Sequence, residues 1–292
     1  MGPHSGTVAA TPAGTRALLR QFDIRPTKRW GQHFLVSARA LETIVAAAEL
    51  TRDDTVLEIG AGLGTLTEAL AARAGAVSAI EVDRRLVPVL AARLGGLPNV
   101  RIVEGDALHI DLPPLFGDAP ARKVVANLPY NIAAPLLLRL LDPALSIARL
   151  VVTVQREVGE RVVARPATAS YGRLSIAVQY RAAARIVARI PPGAFLPAPD
   201  VESAVLTLVP HARPPVQVDD EAAFFRAVAA GFGHRRKTLA NALARGLDLA
   251  PSAVEEACRA AGVDPRVRAE TLGLEAFAAL ARALSGARRP IA

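Results

Sequence analysis

The sequence predicts an α/β fold in which a doubly wound parallel sheet is followed by a small all-helical domain. Between residues 55 and 164, short β-branched runs alternate with segments of helical periodicity, a pattern typical of repeated β-α units. Beyond Pro210 the apolar residues recur at helical spacing only. With 292 residues, of which 51% are hydrophobic, the chain is long enough to form both cores.

The elements follow in order along the chain. A helix is predicted at 40–50. Strands at 55–59, 77–81, 100–104, 123–126 and 150–154 then alternate with helices at 63–74, 86–94, 135–141 and 156–164. Runs rich in β-branched residues predict later strands at 175–180, 185–190 and 201–209.

Composition shifts divide the chain into three segments. Residues 1–27 are expected to be flexible, 28–210 to form the sheet domain, and 211–292 to form the helical domain. Pro210, Pro214 and Pro215 mark a linker over 210–220.

The net charge of +8 is unevenly spread. Residues 51–150 carry 10 basic and 11 acidic residues, whereas 1–50, 151–210 and 211–292 each carry a net +3. A polyanion bound by the flanking segments would favour this pattern. An arginine-rich proteome explains it equally well, so charge alone leaves nucleic acid open.

Composition also argues against several classes of protein. The chain contains no apolar run long enough for a membrane span, and its basic N-terminal segment lacks the apolar core of a signal peptide. Its single Cys258 forms no internal disulfide, and no Cys/His cluster has the spacing of metal ligands. We therefore expect a cytoplasmic, metal-free protein that does not enter membranes, and a monomer.

A glycine-rich loop follows the first predicted strand of the sheet domain. Its residues 60–65 read Gly-Ala-Gly-Leu-Gly-Thr, and Gly60 and Gly62 would let the backbone approach a ligand. Glu81 and Asp106 follow the next two strands, where they could accept hydrogen bonds from a ribose and from an adenine amino group. A dinucleotide-binding oxidoreductase is the alternative, but its fingerprint needs glycine where this chain has Thr65. The layout favours S-adenosylmethionine, and with it a Rossmann-like methyltransferase sheet.

The tetrapeptide Asn127-Leu128-Pro129-Tyr130 follows the fourth strand of the series. The Asn127 side-chain oxygen and the Leu128 carbonyl could accept hydrogen bonds from the amino group of an adenine, on whose ring Tyr130 would stack. Phe195, in a proline-bracketed loop, could cover the other face of the base. A simple turn, with Tyr130 half-buried and Phe195 in the core, is the alternative interpretation. Because the tetrapeptide follows the fourth strand, downstream of a glycine loop that would bind the methyl donor, we favour the adenine site over the simple turn.

Together these residues resemble the ribosomal RNA adenine dimethyltransferases, in particular the bacterial small-subunit branch. The matching motifs are Gly31-Gln-His-Phe-Leu35, Glu58-Ile-Gly-Ala-Gly-Leu-Gly64, Glu81-Val-Asp83, Gly105-Asp-Ala107, Asn127-Leu-Pro-Tyr-Asn-Ile132, Gln155-Arg-Glu-Val158, Tyr171-Gly-Arg-Leu-Ser175, Phe195-Leu-Pro-Ala-Pro199, Ser203-Ala-Val205 and Arg235-Arg-Lys-Thr-Leu239.

The resemblance implies N6-dimethylation of two adjacent adenines near the 3′ end of 16S rRNA in an assembling small subunit. It implies that His33 and Leu35 contact the methyl donor together with Gly60, Glu81, Asp106 and Asn127, although the family usually has Asn in place of His33. It also implies that Tyr130 and Phe195 enclose the target base. It also makes 211–292 an RNA-binding domain. The candidate phosphate contacts are Lys28, Arg29, Arg156, Arg161, Arg235, Arg236 and Lys237.

Three alternatives to this function stay open on the sequence alone. A macrolide-resistance methyltransferase of large-subunit rRNA shares the donor and acceptor motifs, but it lacks the matches at 171–175 and 203–205. A DNA adenine methyltransferase usually has an acidic residue in place of Asn127. A ribosome-assembly factor would use the same RNA-binding residues mainly for binding.

Overall fold

The computed structural model describes residues 10–27, 31–117, 121–234 and 236–287. The chain divides into two compact units. The first comprises residues 1–159 and 184–210, and the second comprises residues 160–183 and 211–292.

The strands of the described residues are β1 (Phe34–Leu35), β2 (Asp54–Ile59), β3 (Ala76–Glu81), β4 (Val100–Glu104), β5 (Ala121–Asn127), β6 (Ile147–Gln155), β7 (Ala182–Ile190), β8 (Phe195–Leu196) and β9 (Ser203–Pro210). Seven of them form the central sheet of the first unit, in the order β4-β3-β2-β5-β6-β9-β7. The five strands from β4 to β6 are parallel, whereas β9 is antiparallel to β6. The predicted doubly wound α/β class is confirmed.

The helices connect and flank these strands. They are α1 (Pro12–Gln21), α2 (Ala38–Ala47), α3 (Thr65–Ala71), α4 (Val87–Leu94), α5 (Ala133–Leu140), α6 (Arg156–Val163), α7 (Arg173–Arg181), α8 (Glu221–Gly233), α9 (Leu239–Leu247), α10 (Pro251–Ala260) and α11 (Leu274–Ala287). Short 3₁₀ turns lie at Pro113–Leu115, Pro143–Leu145, Pro192–Ala194 and Ala269–Thr271.

Burial explains why the central strands form. Within β5 and β6, Val124, Val125, Leu150 and Val151 are all fully buried. Such continuous apolar runs suit parallel strands that are covered on both faces. The carboxyl ends of β2, β3, β4 and β5 consequently meet at one edge of the sheet, which is where ligands bind in folds of this type.

A separate two-stranded sheet lies in the same unit. It pairs β1 with β8 in antiparallel register, with Leu35 opposite Phe195. Both side chains belong to a hydrophobic cluster that also contains Ile44 of α2 and Val125 of β5.

The second unit is helical and has its own core. Tyr180 stacks on Phe224, with ring centroids 5.1 Å apart. The hydroxyl of Tyr171 donates a hydrogen bond of 2.9 Å to the carbonyl oxygen of Leu272. These contacts place residues 160–183 with the C-terminal helices, whereas the sequence-based boundaries put them in the sheet domain at 28–210.

Two sequence-based expectations about secondary structure are wrong. Residues 175–180 form part of helix α7 and not a strand, because Ser175 accepts a hydrogen bond from the Gly172 backbone N–H and so caps the first turn. The segment 1–27, expected to be flexible, contains α1 in its described part, whereas residues 1–9 lie outside the described residues. The Thr11 hydroxyl caps this helix by accepting a hydrogen bond from the Gly14 N–H at 3.1 Å, and Leu19 is buried.

Within the described ranges, no helix combines the length and apolar character needed to cross a membrane.

Candidate active site

A cleft opens at the carboxyl edge of the parallel strands, entirely within the first unit. The residues that line it are Gly31, Gln32, His33, Phe34, Ile59, Gly60, Gly62, Ile80, Glu81, Val82, Leu86, Gly105, Asp106, Ala107, Asn127, Pro129 and Ile132. Six of the predicted site residues therefore meet in one cavity: His33, Gly60, Gly62, Glu81, Asp106 and Asn127.

The glycine loop turns from β2 into α3 through left-handed backbone. Gly60, Gly62 and Gly64 have φ values of 75°, 59° and 78°. A side chain on Gly62 would also meet the Phe34 ring, since a Cβ there would lie 3.2 Å from Cδ1. Glycine is thus required at position 62 for both the conformation and the space.

Glu81 ends β3 and is only 5% exposed. One carboxylate oxygen accepts a hydrogen bond from the Gly62 N–H at 2.7 Å, and the other accepts one from the Asp83 N–H at 2.9 Å. Burial raises the pKa of Glu81, although both hydrogen bonds act in the opposite direction. Because each oxygen has a second lone pair, the carboxylate can still accept hydrogen bonds from two ribose hydroxyls.

Asp106 lies just after β4 on a tight turn. Its Oδ1 accepts a hydrogen bond of 2.8 Å from the Leu108 N–H, and this bond lowers its pKa. Arg139 of α5 braces the same turn, because its guanidinium donates to the carbonyl oxygens of Ala107 and Ile110. The ionised carboxylate is thus held in a fixed position, ready to accept from an amino group.

Asn127 ends β5 and fixes the acceptor side of the cleft. Its Nδ2 donates a hydrogen bond of 3.0 Å to the His33 carbonyl oxygen. Its Oδ1 is buried and has no hydrogen-bond partner among the described residues. An unpaired buried acceptor costs about 1–3 kcal/mol, so a donor from a bound substrate is the expected partner.

Tyr130 lies three residues beyond Asn127. Its hydroxyl lies 2.6 Å from the Ser203 hydroxyl, and its ring stacks on the His33 imidazole with centroids 5.2 Å apart. Burial raises the pKa of Tyr130, so the phenol stays neutral. Leu128, between them, is 1% exposed, and its N–H donates to the Thr153 carbonyl oxygen at 3.0 Å.

Phe195 and Leu35 are less accessible than the other predicted site residues. They are 2% and 6% exposed, and neither lines the main cleft, although Leu35 borders a small adjoining cavity together with Asn127. The core position of Phe195 matches the alternative considered from the sequence. Its stacking on a base stays a prediction and would require the β8 loop to open.

The candidate phosphate contacts are placed only in part. Lys28, Arg29 and Arg235 lie outside the described residues. Arg161, Arg236 and Lys237 are exposed, and so is Arg156, whose Nη1 lies 3.3 Å from a carboxylate oxygen of Glu202. These assignments remain predictions.

Glu58 is a site residue to which the sequence pattern assigns no role. It is 1% exposed, its Oε2 has no partner among the described residues, and burial raises its pKa to about 8. It borders the small cavity shared with Asn127. An acidic residue near the end of an apolar strand, two positions before a glycine loop, was the available signal.

Comparison with known proteins places these features in a family. A protein-family model described as ribosomal RNA adenine dimethylase matches residues 25–285. The chain belongs to the ribosomal RNA adenine dimethylase family. The resemblance drawn from the sequence is confirmed, and with it an S-adenosylmethionine-dependent rRNA methyltransferase.

Individual relatives agree with this assignment. A ribosomal RNA small subunit methyltransferase A from Moorella thermoacetica is 50% identical over 283 residues, which cover 94% of this chain and 98% of that protein. Among solved structures, a dimethyladenosine transferase from Plasmodium falciparum has a TM-score of 0.68 at 25% identity and covers 84% of this chain and 95% of that one. The 23S rRNA methyltransferase ErmE has a TM-score of 0.64 at 28% identity, with 86% and 99% covered.

The cleft of this dimethylase suits the methyl donor of its family. Glu81 and Asp106 are placed to offer hydrogen-bond acceptors to a nucleoside, and Gly60 and Gly62 line the same cleft without side chains. Among the described residues, no group of three or more His, Cys, Asp or Glu side chains is placed to hold a metal ion.

Proposed function

We propose that this protein transfers methyl groups from S-adenosylmethionine to N6 of two adjacent adenines in the 3′-terminal hairpin loop of 16S rRNA. The observation that carries this proposal is the buried, unpartnered Oδ1 of Asn127 at the end of β5. The sequence identity of 50% to a ribosomal RNA small subunit methyltransferase A, over nearly the full length of both chains, supports 16S rRNA as the substrate.

The donor half of the cleft holds the cofactor through acceptor groups of the chain. Glu81 would bind the ribose hydroxyls and Asp106 the adenine amino group. When bound, S-adenosylmethionine supplies a methyl group activated by a positively charged sulfur. The protein therefore needs no nucleophile of its own and accelerates transfer mainly by positioning the two reactants.

The acceptor half makes N6 of the target adenine a better nucleophile. Asn127 Oδ1 and the Leu128 carbonyl oxygen would accept hydrogen bonds from the amino group, which draws its lone pair out of conjugation with the ring. Tyr130 would hold the base by stacking. An amide oxygen accepts a hydrogen bond without taking the proton, so the proton released at N6 leaves to solvent, and the remaining N6 hydrogen permits a second transfer.

The partner and setting belong to the same proposal. We expect the substrate to be 16S rRNA within an assembling small subunit, bound by a monomer in the cytoplasm. Residues 211–292, which include the exposed Arg236 and Lys237, would bind the RNA backbone. The charge distribution along the sequence supports this role.

Transfer of labelled methyl groups to ribosomal particles tests the proposal. Purified protein is incubated with labelled S-adenosylmethionine and with unmethylated small or large subunits. We expect label in the 3′-terminal hairpin of 16S rRNA only. Label in large-subunit rRNA would favour a function like that of the 23S rRNA methyltransferase ErmE, which shares this fold. If the protein binds the small subunit but neither particle becomes labelled, the result would favour a ribosome-assembly factor whose main role is binding.

A further inference from the structure

Ser203 is a buried polar residue to which the proposed reaction assigns no role. It is the first residue of β9 and is fully buried, and the residues that follow it, Ala204 and Val205, are apolar and equally buried. Burying a hydroxyl is unfavourable unless it has a hydrogen-bond partner. The partner of Ser203 is the Tyr130 hydroxyl, and the two oxygens lie 2.6 Å apart. Alanine would fill this strand position without needing a partner, so the contact with Tyr130 is what the serine provides.

The sheet places Ser203 beside the acceptor end of the cleft. Asn127 of β5 is opposite Thr153 of β6, and Ser203 of β9 is opposite Gln155, the last residue of β6. Because β9 is antiparallel to β6, it begins at the edge at which β5 and β6 end. Ser203 is therefore held by regular sheet, two positions beyond the level of Asn127 and on the side of the ligand edge.

Tyr130 has less support from its own segment. It lies in the turn between β5 and α5, and its side chain is only partly buried. Its ring stacks on His33, with centroids 5.2 Å apart, and its hydroxyl bonds to Ser203. Stacked rings can slide over one another, whereas a hydrogen bond at the far end of a rigid ring has a preferred distance and direction. The bond to Ser203 therefore fixes the tilt of the ring.

We propose that Ser203 is a positioning residue for methyl transfer, whose hydroxyl holds the phenol of Tyr130 and so fixes the ring plane against which the target adenine stacks. This inference rests on the proposed function and deepens it. Transfer needs N6 within roughly 3 to 3.5 Å of the methyl group and in line with it. A ring that tilts would still stack on the base but would carry N6 out of line. Ser203 thus acts on alignment, through Tyr130, and not on affinity.

Methylation of small-subunit particles by full-length variants tests the inference. Ser203→Ala and Tyr130→Phe each remove one hydroxyl of the same hydrogen bond and leave the aromatic ring in place. The net contribution of one hydrogen bond corresponds to about a 2- to 13-fold effect. We expect kcat to fall by this factor in either variant, while the particle KM and the calorimetric affinity for S-adenosylmethionine stay unchanged. The double variant should lose no more activity than either single variant, because both changes break the same bond.

Ser78→Ala is the matched control. Ser78 is a buried serine of β3 that donates to the Leu115 carbonyl oxygen at 2.7 Å, and it does not line the cleft. Its variant should keep the wild-type kcat. An equal loss in this control would mean that Ser203 contributes to stability alone.

Other results would also overturn the inference. They are an unchanged kcat in Ser203→Ala, a raised particle KM with normal kcat, and additive losses in the double variant. If Ser203→Ala does not fold, Tyr130→Phe decides, since it leaves β9 untouched, and a normal kcat would then overturn the inference. Absence of methylation by the wild type would overturn the proposed function and this role with it, whereas the other results overturn this role alone.

Discussion

The proposed donor and acceptor halves of the cleft differ in whether their polar side chains already have hydrogen-bond partners within the protein. In the donor half, each oxygen of Glu81 already accepts a backbone N–H, and Asp106 is fixed by the Leu108 N–H. In the acceptor half, Asn127 Oδ1 is buried without a partner among the described residues. Under the proposed function, the polar groups of the cofactor site are thus already held by the protein, whereas the acceptor for the base has no partner within it.

This difference has a physical consequence. A buried unpaired acceptor destabilises the folded protein by about 1–3 kcal/mol. Under the proposed function, that free energy would be regained when the amino group of the target base donates to Asn127, and binding would favour an adenine over a base without an exocyclic donor.

Removal of the unpaired acceptor should have the largest effect. Asn127→Ala should lower kcat by about 100- to 1000-fold, the usual cost of losing one hydrogen bond that strengthens in the transition state. Asn127→Asp is the matched variant, because it keeps an acceptor oxygen but loses the donor to the His33 carbonyl, and it should retain more activity. Single-turnover methyl transfer measures both, and equal losses in the two variants would contradict the assigned role of Oδ1.

Removal of a donor-half acceptor should act on cofactor affinity. Glu81→Ala should weaken binding of S-adenosylmethionine by about 10- to 100-fold, since hydrogen bonds to a charged group contribute about 1.5–3 kcal/mol. The KM for the RNA particle should stay unchanged, because Glu81 lies on the donor side. Titration calorimetry checks the first value and initial rates the second. A raised particle KM with normal cofactor affinity would contradict the division into two halves.

Neutralisation of the exposed cationic pair should change RNA affinity alone. The double variant Arg236→Gln, Lys237→Gln should bind 16S rRNA several-fold more weakly and with a shallower salt dependence, by about 0.7 in the logarithmic slope for each lost phosphate contact. Arg259→Gln, an exposed change on α10, is the control. Filter binding over a range of salt concentrations measures the slopes. Identical slopes for the double variant and the control would remove the phosphate assignment.

The smallest expected effect is a pH-dependent change in stability at Glu58, which borders the small cavity beside the cleft. Its pKa is raised from 4.5 to about 8 by burial, so the folded protein keeps a proton that the unfolded chain loses as pH rises through this window. The contribution of Glu58 to the free energy of unfolding therefore falls as the pH rises from 4.5 to about 8. The variant Glu58→Gln has no titratable group at this position. The melting temperature of the variant minus that of the wild type should therefore increase from pH 5 to pH 8, by about 2 °C or more. A constant difference across this range would show that Glu58 is ionised in the fold.

The sequence predicted the cleft better than its surroundings. Gly60, Glu81, Asp106 and Asn127 follow strands whose parallel order is fixed by β-α repetition, so their meeting at one edge was predictable. Residues 175–180 were not, because Ile176 and Val178 favour a strand locally, whereas the cap at Ser175 and the packing of Tyr180 among the C-terminal helices favour a helix. The burial of Phe195 was equally hidden, since it depends on pairing with Leu35, 160 residues away in sequence.

The most direct test of the central claim is mass spectrometry of the 3′-terminal fragment of 16S rRNA after reaction. Unmethylated small-subunit particles are treated with wild-type protein or with Asn127→Ala in the presence of S-adenosylmethionine. The account predicts two adjacent dimethyladenosines with the wild type and almost none with the variant at the same time point. Unmodified adenines after wild-type treatment, or equal dimethylation by the variant, would contradict it.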